Sequence, residues 1–440
     1  MTNAANSNSD DKAVRRAIAG VWPIESARIV AVVARMVRDV GVAEELAQDA
    51  LVSALQQWPR DGLPDNPAAW LTAAAKNRAL DWLRRSQMME RKHEEIAHTI
   101  EALGGEAVAP APDEAADEDI DDDLLRLIFT ACHPVLTREA RLAMALRVLG
   151  GLTTDEIARA FLLPEPTIAQ RIVRAKRSLR DAKVPFEVPR GDELAPRLAS
   201  VLEVIYLVFN EGYSATAGDD WMRPALCAEA LRLGRVLAEL MPAEPEVHGL
   251  VALMEIQASR SAARTDRQGA PVLLMDQDRS RWDQLLIRRG LAALARAEGL
   301  GGARGSYALQ AAIAACHARA LQAADTDWQR IAALYGELAA VEPSPVVELN
   351  RAVAVSRAAG PAAALPLVDA LAAEGTLKNY HLLPAVRADL LQGLGRLDEA
   401  RSEFERAASL TRNVREQALL RARAAACDAD SPSAASSSAN

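Results

Sequence analysis

The residues best suited to recognising another molecule lie between Thr154 and Lys183. Gln170, Arg171, Arg174 and Arg177, with Thr167 ahead of them, fall opposite an apolar stripe of Ile168, Ile172, Ala175 and Leu179. Forked Arg donors fit a guanine edge or a phosphate, Gln can pair with adenine, and a helix N-terminus helps to hold a phosphate. A short amphipathic helix from Thr154 to Phe161 and a break at Leu162 to Pro166 precede this helix, which opens with Pro166 in its first turn. Two helices joined this way form the helix-turn-helix shape that a major groove admits. A solvated basic face on an ordinary helical hairpin would have the same pattern in isolation.

Two polar clusters further along carry other chemistry: Asn210 to Tyr213, and the run Asp276 to Asp283 with Asp278, Arg279 and Trp282. Paired carboxylates beside Arg and Trp can build a catalytic pocket, but no nucleophile, glycine cradle or metal spacing accompanies them. They read as helix caps and salt bridges, or as an interface made by Asn210, Tyr213, Asp276, Asp278, Arg279 and Trp282. The chain is expected not to be an enzyme, and to need no cofactor and no metal.

The elements that must position these groups are helical. The chain has 440 residues, half of them apolar but only 4% aromatic, and it lacks alternating β-branched runs. It is therefore expected to be all-α, in roughly three domains of about 150 residues. A net charge of −9 does not look like that of a general nucleic-acid binder, so any DNA contact must come from local basic surfaces. Cys132, Cys227, Cys316 and Cys427 form no CxxC, which suggests neither zinc nor a disulfide framework and fits a reducing cytoplasm. Cys132 and His133 read as a turn before Pro134. No apolar run reaches about 18 residues, and residues 1–12 are polar, so a soluble cytoplasmic protein without a membrane partner is expected.

In chain order, Val14 to Trp58 reads as helices separated by Gly41, with Glu44, Glu45, Gln48 and Asp49 near the start of the second. Such acids suit a helix dipole, and also offer a carboxylate patch to a basic partner. Pro59 to Asn66 (PRDGLPDN, with Asp61) is a loop rich in turn formers. A helix then runs from Pro67 to about Arg85, carrying Trp70, Asn77, Arg78, Asp81 and Arg84. Rings and amides interleaved with Arg suit melted DNA, although Trp70 and Trp82 can also serve as core anchors. Trp82 lies on the Leu71 and Ala75 side, which favours the core.

AEELAQDALVSALQQWP, NPAAWLTAAAKNRALDWLRR and GLTTDEIARAFLLPEPTIAQRIVRAKRSLRDA, in this order, resemble regions two and four of a bacterial sigma factor. More narrowly, the chain resembles the extracytoplasmic-function (ECF) class, in the subgroup with a long tetratricopeptide-like helical extension. LRLIFTACHP, CAEALRL, LLMDQDRSRWD and PSPVVELNRAVAV carry that part of the likeness, which covers about residues 22–425. It implies a protein that recruits RNA polymerase core to promoters. Glu44, Glu45, Gln48 and Asp49 would then dock on the clamp of the largest polymerase subunit. Asp61 and Asn66 in the loop, with Trp70, Asn77, Arg78, Asp81 and Arg84, would capture and melt the −10 element. Thr167, Gln170, Arg171, Arg174 and Arg177 would read the −35 element. The turn LLPEPTIAQ departs from the Gly-Thr-Val common in this superfamily, so Arg171 and Arg174 are the firmer assignments.

Ala107 to Asp123 holds eight acidic residues from Asp113 onward and no basic one, and is expected to be extended or disordered. By resemblance it would thread the polymerase near the RNA path; a plain solvated linker fits equally well. Beyond Pro189, some ten helices are expected. Gly360 and Gly395 lie 35 residues apart, close to the tetratricopeptide period, and stacked helix pairs offer a concave surface to a protein or peptide regulator. The expected division is a disordered start (1–13), region two (14–92), acidic linker (93–123), region four (124–184), helical extension (185–300), helical repeats (301–427) and a disordered tail (428–440). Two rival readings are a helix-turn-helix regulator that acts without polymerase and an enzyme in the C-terminal half.

Overall fold

The structure is a computed structural model that describes residues 18, 21–22, 25–98, 117–161, 163–215, 217–218 and 221–429. Expectations for residues 1–13, for 99–116 of the acidic linker and for the tail from 430 lie outside the described residues. The chain divides into two units, Met1–Val204 and Ile205–Asn440.

In the first unit, α1 (residues 25–37) and α2 (Val40–Asp61) are separated at Arg38 and Asp39. Gly41 is therefore not the break that the sequence suggested. Asp39 is the N-cap, accepting from the Val42 amide at 3.0 Å, which satisfies one of the amides a helix start leaves unpaired. Pro59 lies inside α2, so the expected Pro59–Asn66 loop shrinks to Gly62–Asn66. Asn66 caps α3 by accepting from the Ala69 amide. α3 runs from Pro67 to His98 rather than stopping near Arg85, because Ser86 to His98 contains no Gly or Pro and is rich in strong helix formers.

α4 spans Asp117–Ala131, so the last seven residues of the expected extended linker are helical. α5 (Arg138–Met144) continues into a π-helical turn at Ala145–Leu149, and α6 (Thr154–Phe161) and α7 (Glu165–Asp181) follow. The stripe Ile168, Ile172, Ala175 and Leu179 is buried, as are Ile157, Leu127, Phe129, Met144 and Leu146, so α6 and α7 share a core with α4 and α5.

α8 (Leu194–Tyr213) contains the division between the units. The second unit holds α9 (Pro224–Leu240), α10 (Pro245–Ala258), α11 (Gln284–Gly299), α12 (Ser306–Arg319), α13 (Trp328–Val341), α14 (Pro345–Ala359), α15 (Pro361–Glu374), α16 (Leu382–Gly393), α17 (Leu397–Leu410) and α18 (Val414–Ala429). From α12 onward each helix packs on the next, giving the all-helical, repeat-like architecture expected. The inter-helix glycines Gly360 and Gly395 have φ of 90° and 75°, conformations that only glycine adopts without strain. Phe404, Leu391, Val368 and Ala388 are fully enclosed in the C-terminal core. Among the described residues, β pairing is confined to Ala217–Gly218 with Arg412–Asn413, in parallel, and an isolated antiparallel bridge between Thr265 and Pro271.

His317 on α12 is 7% exposed and stacks edge-on against Trp328 at 5.1 Å. Burial first, and then Arg260 and Arg279, draw its pKa from 6.5 down to about 3, so the folded state holds a neutral ring. Because the folded value lies below the unfolded one, its stabilising contribution is complete above about pH 6.5 and is lost as pH falls toward 3. The loss should approach about 1.4 kcal/mol per pH unit. Urea unfolding followed between pH 7 and pH 4 should therefore show a steeper decline for the natural chain than for His317→Gln.

Candidate nucleic-acid interface

α7 presents Gln170, Arg174 and Arg177 to solvent, while Thr167 and Arg171 are half-buried. Arg177 is held by Asp181 one turn on at 3.4 Å, an exposed pair of small net strength. The outer side of α7 is thus a cationic surface with Arg174 near its middle and an amide beside it, the donor set that base edges and phosphates accept.

On α3, Trp70 is half-buried and meets the buried Trp58 edge-on at 5.4 Å. Asn77, Asp81 and Arg84 are exposed, the last two paired at 3.3 Å. Asp61 and Asn66 are exposed at the two ends of the α2–α3 connection. Arg78 turns inward, donating to the Ser53 hydroxyl and to the Ala74 carbonyl, so it stitches α3 to α2. Trp82 is half-buried rather than a closed core anchor. It lines a groove of about 680 Å³ with Val42, Leu46, Glu45, Asp49, Arg85 and Met89.

The acidic face of α2 divides in two. Glu45 and Asp49 are exposed, Gln48 is half-buried, and Glu44 is only 5% exposed. The Glu44 carboxylate accepts from Arg147 Nη2 at 2.7 Å through Oε1 and from Lys176 Nζ at 2.6 Å through Oε2, with Gln48 as a third donor. Arg147 sits in the π-helical turn and also donates to the Leu152 carbonyl at 3.1 Å; the extra residue of such a turn re-aims a side chain that a regular helix would place elsewhere. Gly41 leaves room beside this contact, since a Cβ there would lie 3.0 Å from Asp39 Oδ1 and 3.2 Å from Lys176 Cδ. A second tie joins Arg35 to Asp123 at 3.1 Å, with Asp123 fully buried and also held by Arg126.

Neither Arg147 nor Lys176 stood out in the sequence. Lys176 flanks the basic face, and Arg147 is a lone charge inside the apolar run MALRVLGGL. That lone charge was the available signal, because a charged residue among core positions needs a buried partner.

Cys132 is buried, and burial pushes its thiol up to about 12 against the pull of Arg141 and Arg197, so it is no nucleophile at neutral pH. His133 Nδ1 accepts from the Val135 amide at 3.1 Å. Burial, then Arg197, lowers its pKa to about 4. The pair forms a neutral turn.

In the second unit, Asp278 caps a short turn through the Ser280 amide, and Asp283 caps α11 through the Leu285 and Leu286 amides. Arg279 is buried and donates to the carbonyls of His317 and Ala320 at 2.7 Å and to Thr326. Trp282 is 3% exposed in the same cluster, and Asp276 is exposed. Tyr213 stacks on Phe209 and lies beneath the Arg264 guanidinium at 3.5 Å, while the Asn210 carbonyl accepts from the Ser214 amide. Arg279, Trp282 and Tyr213 thus face partners within their own unit, and Asp276 and Asp278 remain at its surface. Among the described residues no group of three or more His, Cys, Asp or Glu could hold a metal, and no helix is long and apolar enough to cross a membrane.

The model of sigma-70 region 2 matches residues 25–88 and that of sigma-70 region 4 matches residues 126–179. A family of unknown function, DUF6596, matches residues 197–298. A protein of Rhizobium meliloti described as uncharacterized is 45% identical over 389 residues, covering 88% of this chain and 90% of that protein. The ECF RNA polymerase sigma factor SigK of Mycobacterium bovis is 31% identical over 193 residues, 41% of this chain and 97% of that protein. SigK of Mycobacterium ulcerans is 30% identical over 171 residues, 38% of this chain and 86% of its own length.

Replacing Glu44 by Ala would strand Arg147 and Lys176 in a poorly hydrated seam. The loss should be about 3 kcal/mol, read as a lower chemical-denaturation midpoint and as faster amide exchange at the start of α2 and along α7.

Proposed function

Because the chain belongs to the ECF RNA polymerase sigma factors, we propose that it binds polymerase core and directs initiation at a specific set of promoters. The observation that carries this reading is the outward cationic side of α7, with Gln170, Arg174 and Arg177 exposed beyond a closed apolar stripe. Arg171 and Arg174 contact the −35 element in the major groove, with Thr167 and Gln170 at the leading end of the helix and Arg177 on the phosphates. The short connection between α2 and α3 receives an extruded base of the −10 element. Asn77, Asp81, Arg84 and the Trp70 ring hold the opened strand, which offsets an unstacking cost of a few kcal/mol. The inward Arg78 supports α3 from behind.

Core polymerase docks on the exposed part of the α2 face. Glu45 and Asp49 supply charge, and the adjoining groove with Trp82 and Met89 supplies apolar surface, a combination that supports a partner with a basic rim and an apolar anchor. Glu44 joins that face only after leaving Lys176. By their own numbering the two promoter elements lie about 25 base pairs apart, or about 85 Å of straight duplex. Two modules joined at Glu44 cannot reach both, so promoter engagement separates α2 from α7. The C-terminal helical unit regulates or supports this step and offers a surface to a protein or peptide regulator. The chain itself does no chemistry, and it works in the cytoplasm with the polymerase.

Run-off transcription with purified core polymerase on promoters recovered from cells should yield defined transcripts that depend on this chain; a regulator that acts without polymerase would yield none. Arg174→Ala should weaken promoter binding by about 1–3 kcal/mol in a titration of holoenzyme on promoter DNA. Glu45→Ala combined with Asp49→Ala should reduce affinity for core polymerase with at most a small change in the melting temperature of the free chain, because the exposed Glu45 lies 3.6 Å from Lys176 in a weak pair, as sedimentation and calorimetry would show.

A further inference from the structure

One cavity of the first unit has no part in the surfaces assigned above. It measures about 600 Å³ and lies where the junction of α1 and α2 faces the end of α7. Arg35 and Arg38 line one side and Lys176, Arg180 and Lys183 the other, against two carboxylates, Asp39 and Glu187. Arg35 and Lys176 are engaged with Asp123 and Glu44, and Asp39 caps α2. Arg38, Arg180 and Lys183 are exposed and make no ion pair among the described residues. With Arg35 and Lys176 matched, the three exposed cations Arg38, Arg180 and Lys183 outnumber the remaining carboxylates Asp39 and Glu187, so the concavity keeps a cationic excess that favours an anion.

The backbone makes a second, independent point. Among the described residues, Arg38 (φ 54°) and Lys183 (φ 49°) are the non-glycine positions with left-handed backbone. Both follow the last turn of a helix, the position that glycine ordinarily takes. A long cationic side chain in that conformation holds strain that glycine would relieve, and such strain gathers at ligand clamps. Both strained cations line the same cavity.

We infer that this cavity binds a small free polyanion of the phosphate class: an inorganic polyphosphate, or a nucleotide that carries several phosphates. Its volume lies within the range of small-molecule sites, and a concave wall of side-chain donors admits a phosphate chain where a broad, convex duplex could touch only the rim. The C-terminal ends of α1 and α7 repel anions, and the α2 N-terminus at the junction is already capped by the Asp39 carboxylate, so the side chains must supply most of the binding. A ligand bridging Arg38 to Arg180 and Lys183 would hold the α2–α7 seam in its joined state. That consequence rests on the sigma-factor reading; the binding itself does not.

The test is isothermal titration of the full-length chain with inorganic tripolyphosphate and, separately, with ATP, at fixed ionic strength and without divalent metal. Saturable single-site binding of either probe, with a rise in melting temperature, is expected. Comparable affinities assign recognition to the phosphate chain, and tighter ATP binding adds the nucleoside; both outcomes support the site. The variant Arg38→Gly with Lys183→Gly removes two charges while relieving the backbone, so it should fold with an undiminished melting temperature and bind at least about tenfold more weakly. Absence of saturable binding at millimolar probe, or unchanged affinity in the double variant, overturns the proposal. It is equally overturned if the natural chain ignores both probes while the variant loses only affinity for duplex DNA, which would make the cavity part of the DNA contact. Because no polymerase or promoter enters the titration, its outcome is separable from that of run-off transcription.

Discussion

A carboxylate taken out of water must regain the hydrogen bonds that water supplied, and Glu44 has three donors. Desolvating such a group costs several kcal/mol, which a single exposed lysine would not offset. Arg147 and Lys176 come from separate elements of the α4–α7 module, so satisfying this one residue of α2 fixes three segments at once. Gly41 gives α2 the clearance, the π-helical turn gives Arg147 its direction, and the Arg35–Asp123 pair repeats the same logic a short way along the seam.

The same geometry sorts the charged residues by use. On α2, Glu44 faces inward and Glu45 and Asp49 face outward, so one acidic patch in sequence becomes an internal tie and a proposed docking face in space. On α7, Lys176 belongs to the seam while Arg174 and Gln170 remain outside. An acidic chain can therefore carry a local cationic surface, because 60 Asp and Glu against 51 Lys and Arg set the overall charge while the fold decides where cations gather.

The second unit follows another economy. Its core is built mainly from Ala and Leu, so helices approach closely and little aromatic volume is needed. Its conspicuous polar run is structural: Asp278 and Asp283 cap helices, and Arg279 satisfies carbonyls at the end of α12 that the helix leaves unpaired. Carboxylates beside Arg and Trp suggested a pocket in sequence, but capping answers the need of each residue locally.

The sequence by itself determined the helical class, the buried stripe of α7, the hairpin of α6 and α7 and the glycine-marked turns at Gly360 and Gly395, because each depends on neighbours within one or two helical turns. It misjudged the end of α3, where a run of helix formers after Arg85 carries the helix on, the break before α2, where Asp39 rather than Gly41 caps the helix, and the helical end of the acidic linker. Only the tertiary structure decided which acid of α2 is buried, that Arg147 and Lys176 meet it, and that Arg38 and Lys183 line one cavity. Those facts depend on residues far apart in the chain whose charges must be paired once the helices have closed over them, and no local spacing records that pairing.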